Sequence, residues 1–158
     1  MADSVPSITP YLTVKGGADA LAFYVRAFGA VETCRMQCPQ TGSLMHAELR
    51  IGDAKLYLGD ECLEMGGNPS PQTIGGSPVT IHLQVEDVDS VFNQAVEAGV
   101  TPQMPPTDMF WGDRFAKVTD PFGHVWSLAT RKEVLTPEQM RGRMQEFFAS
   151  MAAAPASA

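Results

Sequence analysis

Apolar and polar residues alternate in Tyr11-Leu-Thr-Val14 and again in His82-Leu-Gln-Val85, the period of a strand with one buried face. A helical stripe follows each. Leu21, Phe23, Tyr24, Ala27 and Phe28 lie at helical spacing over 18–28, and Val88, Val91, Phe92, Ala95 and Val96 repeat the stripe. Gly29 and Gly99 then stand where a left-handed cap ends a helix. Strand-like segments come next: 31–38, 45–51 and 55–58 in the first half, with turns at 40–42 and 52–53. The second half offers 101–104, 114–119 and 125–129, broken at 108–113 and at Asp120-Pro-Phe-Gly123.

The pattern predicts an α+β fold of two βαβββ modules, one over 6–65 and one over 79–132, joined by a linker at 66–78 rich in Gly, Pro and Ser. Neither half is large enough to bury its sheet well alone, so the two are expected to pair their sheets and share a cleft. Thr136-Pro-Glu-Gln139 reads as a capped helix start with Thr136 at the N-cap and Gln139 in a capping box. This predicts a C-terminal helix within 133–151 and a disordered tail over 152–158. Met140, Met144, Phe147, Phe148 and Met151 form one stripe on that helix, which predicts packing on the sheet or on a second subunit, hence a homodimer.

With 158 residues, 44% hydrophobic and 18% charged, the composition suits a folded domain rather than a disordered chain. The formal charge of -7 with scattered basic residues predicts neither nucleic acid nor a membrane surface as partner. Three cysteines, Cys34, Cys38 and Cys62, without CxxC spacing, point to a reducing compartment, and the lack of a secretory or membrane-spanning signal adds to a cytoplasmic reading. No GxSxG, phosphate-binding glycine loop or GxGxxG after a strand occurs, which sets aside serine hydrolase, nucleotide hydrolase and dinucleotide oxidoreductase readings.

The paired modules resemble the vicinal oxygen chelate superfamily of glyoxalase I, bleomycin and fosfomycin resistance proteins and extradiol dioxygenases, and within it the PhnB-like branch. Pro10-Tyr-Leu, Ala20-Leu-Ala-Phe-Tyr24, His82-Leu-Gln-Val-Glu-Asp87, Met109-Phe-Trp-Gly-Asp-Arg-Phe115 and Asp120-Pro-Phe-Gly-His-Val-Trp126 carry the resemblance. Metal-dependent members hold their ion on the first and last strands of both modules. The resemblance places those positions at Tyr11, Leu56, His82 and Ser127, of which only His82 is an ordinary ligand, so no metal and no other cofactor is expected. A displaced metal site would draw on His46, Glu48 and Glu61 with His82.

The expected function is therefore binding of a small molecule in the inter-module cleft, in the manner of the bleomycin resistance members. The lining expected is Tyr11, Tyr57, His82, Trp111, Arg114 and Ser127, with Trp111 as a stacking face and Arg114 as a fork for an anionic group. Arg114 paired to Asp113 with Trp111 as a lid is the structural alternative. No catalytic residue is assigned. A metal-dependent glyoxalase-type lyase or isomerase is the rival reading, and a structural or interaction module the third.

Overall fold

The computed structural model describes residues 7–155. The first module runs β1 (Tyr11–Val14), α1 (Gly17–Phe28), β2 (Val31–Gln37), β3 (Leu44–Ile51) and β4 (Ala54–Asp60). After a 3-10 turn at Leu63–Met65 and one helical turn, α2 (Pro71–Ile74), the second module follows. It comprises β5 (Thr80–Gln84), α3 (Val88–Ala98), β6 (Thr101–Asp108), β7 (Asp113–Thr119) and β8 (Val125–Arg131). The last helix, α4, spans Pro137–Ala153.

Each module forms a four-stranded sheet, ordered β1-β4-β3-β2 and β5-β8-β7-β6, so the first strand pairs parallel with the last. Tyr11 then stands beside Tyr57, and His82 beside Ser127. This is the α+β architecture of paired βαβββ units with a C-terminal helix that the hydrophobic pattern predicts.

Local chemistry fixes the ends of the elements. The Asp60 carboxylate, at the end of β4, accepts from the amides of Gly16, Gly17 and Leu44, which ties the start of α1 to its own sheet. Gly17 has no alternative there, because a Cβ would stand 2.6 Å from that of Leu44. Asp87 caps α3 through the amides of Asp89 and Ser90. Both arms of the Thr136–Gln139 capping box are formed.

The modules meet through α1 against α3, and the helix-facing sides of both sheets bury one continuous core. Asp120 organises its polar centre. Its carboxylate accepts from the Tyr24 hydroxyl at 2.6 Å, Trp126 Nε1 at 2.9 Å, and the amides of Phe122 and His124. His124 Nε2 donates in turn to the Thr13 carbonyl at 2.9 Å, pinning the second module's turn to β1.

Beyond shifts of one or two residues at strand ends, three boundaries differ from the sequence reading. β6 continues through Pro105 and Pro106 to Asp108; it is an edge strand with two register shifts, where a residue without an N–H leaves no ladder bond unmade. The linker segment contains α2, and the Glu61 carboxylate accepts from the amide of Ser70, the residue before its first turn. α4 reaches two residues into the segment expected as tail, and 156–158, like Pro6, lie outside the described residues. Among the described residues no helix is long and apolar enough to cross a membrane.

Candidate functional site

Alternation along the strands sorts the side chains. Leu12, Val14, Leu56 and Leu58 turn toward α1 and are buried, so Tyr11 and Tyr57 point to the opposite side of the first sheet. In the second sheet Trp126 and Leu128 face the core, which leaves His82 and Ser127 on the open side. Tyr11, Tyr57, His82 and Ser127 therefore occupy equivalent positions in the two modules. Leu56, where the resemblance puts the first module's last-strand position, lies on the core side, and Tyr57 takes that place beside Tyr11.

Where the edges β1 and β5 adjoin, a cavity of about 430 Å³ opens, with Tyr11, His82 and His124 among the residues that line it. A second, of about 330 Å³, lies between β4 and β5 and also reaches His82. Tyr11 further borders a cavity of about 310 Å³ with Thr13, Gly59, Cys62 and Asn68. His82 and Tyr11 thus stand at the seam between modules, Tyr57 and Ser127 one strand further in.

The polar groups there are held in pairs. His82 Nδ1 lies 2.8 Å from Ser127 Oγ and its Nε2 3.3 Å from Gln84 Oε1. The Gln84 oxygen only accepts, so Nε2 carries the proton and Nδ1 accepts from the serine hydroxyl. In the first sheet the Tyr11 hydroxyl meets His46 Nδ1 at 2.7 Å, and His46 Nε2 approaches Glu48 Oε1 at 3.4 Å.

Trp111 joins the site indirectly. It lies edge-on to Phe115 at 5.7 Å, and the Phe115 ring stacks with His82 at 6.5 Å, so an aromatic row runs from His82 outward. Phe110 continues it from Trp111 to Phe147 of α4, each contact at 5.1 Å. Arg114 does not join. It alternates with Phe115 onto the helix side of the sheet, where Nε and Nη2 fork onto Asp89 of α3 at 2.6 and 2.8 Å, and Nη1 reaches Asp108. Those carboxylates raise the guanidinium's pKa above its ordinary value, and Arg114 lowers that of Asp89. Asp113 pairs with Arg131 instead of Arg114.

The donor set does not suit a metal ion. The four equivalent positions carry two phenols, one imidazole and one hydroxyl, and the last two bond each other, whereas a first-row dication needs about three imidazole, carboxylate or thiolate ligands. Glu61 is drawn away, its carboxylate accepting from the Ser70 amide and, at 2.9 Å, the Thr73 hydroxyl. Those bonds, the Ser70 amide foremost, hold its carboxyl below the usual range. Among the described residues no three His, Cys, Asp or Glu side chains converge as a ligand set. The sequence reading missed the joining of Tyr11 to His46. The alternation of His46 and Glu48 on one strand was its only local signal.

The sequence model of the Glyoxalase/Bleomycin resistance protein/Dioxygenase superfamily matches residues 5–128. An uncharacterized protein of Mycobacterium bovis, Mb0911c, is 43% identical over 141 residues, 88% of this chain and 92% of that one. The crystal structure of TioX from Micromonospora sp. ML1 is similar with a TM-score of 0.63 and 26% identity, over 80% of this chain and 99% of that one. The fosfomycin resistance protein FosX of Listeria monocytogenes, complexed with Mn(II) and sulfate, shares the fold at 19% identity and a TM-score of 0.61. The match covers 91% of this chain and 99% of FosX.

Proposed function

The chain belongs to the Glyoxalase/Bleomycin resistance protein/Dioxygenase superfamily, and from that premise we propose that it binds a small molecule in the cleft between its modules. Tyr11, Tyr57, His82 and Ser127 supply the polar lining, and Trp111 stands at the rim. The reading dispenses with the superfamily's four-ligand metal site and places the chain in the PhnB-like branch, on the motifs from Pro10-Tyr-Leu to Asp120-Pro-Phe-Gly-His.

One observation carries it: the parallel registers that set Tyr11 beside Tyr57 and His82 beside Ser127, next to a cavity of about 430 Å³. An apolar cleft with a few placed hydrogen-bonding groups is what small-molecule recognition needs. Cys34, Cys38 and Cys62 are unpaired, which suits a cytoplasmic setting. A homodimer is part of the proposal, since Phe148 and Met151 of α4 are exposed.

The test is a thermal-shift screen with divalent metals, thiol adducts, phosphonates and glycopeptide antibiotics. A binder at 100 times its Kd adds about 2.7 kcal/mol of stability, and His82→Ala is expected to abolish that gain. Elemental analysis finding one Zn, Ni or Mn per chain, with binding lost on chelation, would overturn the metal-free reading in favour of a lyase or isomerase.

A further inference from the structure

The open side of the first sheet carries a hydrogen-bonded row that binding alone does not require. Glu48 accepts only, so at 3.4 Å it draws the imidazole proton of His46 to Nε2. That leaves Nδ1 as a lone pair, and the Tyr11 hydroxyl donates to it at 2.7 Å. The order is carboxylate, imidazole, hydroxyl.

The strands enforce this arrangement. His46 and Glu48 are two apart on β3 and share a face, and Tyr57 sits directly opposite Glu48 on β4. Its ring stands edge-on to His46 at 5.1 Å and to Tyr11 at 5.8 Å, walling the row on one side. The His46 side chain keeps 24% of its surface exposed and Tyr11 57%. The imidazole is the less exposed of the two, and Tyr11 borders two of the cavities.

We infer that Tyr11, His46 and Glu48 form a relay in which the Tyr11 phenol is made nucleophilic toward small carbonyl compounds. A hydroxyl bonded to an imidazole that a carboxylate orients is the constellation by which a weak nucleophile is activated. With an activated acyl compound, a Tyr11 oxygen lone pair attacks the carbonyl carbon while the phenol proton passes to His46 Nδ1. Collapse breaks the bond to the leaving group, which departs with that electron pair and takes the proton from His46, leaving an acyl-tyrosine. The inference rests on the binding reading only for where such a compound would be held.

The probe is N-acetylimidazole, an acyl donor that needs no built pocket, with acetylation at each tyrosine followed by mass spectrometry. The chain has three tyrosines, and Tyr24 is wholly buried. Acetylation of Tyr11 is expected to be at least about tenfold slower in His46→Gln, which keeps an acceptor at that position but no base. A comparable loss is expected in Glu48→Gln. A Tyr11 rate in folded His46→Gln within about twofold of wild type overturns the relay. If His46→Gln fails to give the wild-type near-ultraviolet circular dichroism, Glu48→Gln decides by the same criterion. A null ligand screen with intact relay-dependent acetylation overturns the binding reading and leaves the relay standing.

Discussion

Tyr24 and Asp120, 96 residues apart in sequence, share a buried hydrogen bond of 2.6 Å that joins α1 of the first module to the turn between β7 and β8 of the second. Around it Phe23 and Phe28 meet Phe122 and Trp126. The aromatic contact supplies area, and the hydrogen bond gives it direction.

Tyr24→Phe keeps the ring and removes one of four donors to a buried carboxylate. The expected loss is about 1.5–3 kcal/mol, the range for hydrogen bonds to charged groups, read from urea denaturation at neutral pH. A loss below about 0.5 kcal/mol would show that Trp126 and the two amides satisfy Asp120 without it.

The same hydroxyl predicts sensitivity to alkali. Burial first, and then the Asp120 carboxylate, push its pKa well above the ordinary 10.0. Folding therefore favours the protonated phenol, so its contribution is whole below about pH 10. Above that the unfolded chain releases the proton first, and stability falls by about 1.4 kcal/mol per pH unit until the folded-state pKa is reached. Urea curves at pH 9 and 11 are expected to show a smaller loss in Tyr24→Phe than in wild type, and equal losses would refute it.

Arg114→Gln is expected to lower Tm while leaving the affinity of a cleft ligand unchanged, because its partners are Asp89 and Asp108 on the helix side. The hydrogen bond from Arg114, foremost, holds the Asp89 carboxyl below its usual range. That contribution is present above the ordinary carboxylate pKa and lost as pH falls through the folded value. The gap in Tm between wild type and variant should therefore narrow from pH 7 toward pH 3. Weakened ligand binding would return Arg114 to the site.

Trp111 and Trp126 give opposite expectations. Trp111→Ala is expected to weaken a cleft ligand by about 1 kcal/mol or more and to remove the fluorescence change on binding. Trp126→Phe should do little to affinity, because Trp126 is 1% exposed on the core side. Affinity unchanged in Trp111→Ala would confine the site to the seam at His82 and Tyr11.

Sedimentation at micromolar concentration is expected to show a species of twice 17.0 kDa. Phe148→Ser should shift it toward the monomer. A wild-type protein that sediments only as a monomer removes the dimer.

The modules were legible because their signals are local: period-two runs, helical stripes and the cap glycines at 29 and 99 need no distant partner. The site was less so. The resemblance points to Leu56 only when Gly52 and Gly123 are aligned as equivalent turn glycines. Gly52 opens a two-residue turn, with Ile51 opposite Ala54, whereas Gly123 is fourth in a five-residue connection between Thr119 and Val125. One residue of slip turns a side chain to the other face. The fork of Arg114 onto Asp89 was illegible for a different reason, since Asp89 lies on another element and no spacing along the chain announces it.

In each module the outermost strand in sequence waits for its mate. β1 cannot pair until β4 has been made, nor β5 until β8, so during synthesis the earliest segment of each sheet is the last to be satisfied. A nascent chain ending after β3 exposes β1 as an unpaired edge, and the first sheet closes only once Asp60 has left the ribosome. Asp60 ends that ladder opposite Val14, and its carboxylate also receives the amides of Gly16 and Gly17, so the residue that closes the strand pair also brings the acceptor that holds the start of α1.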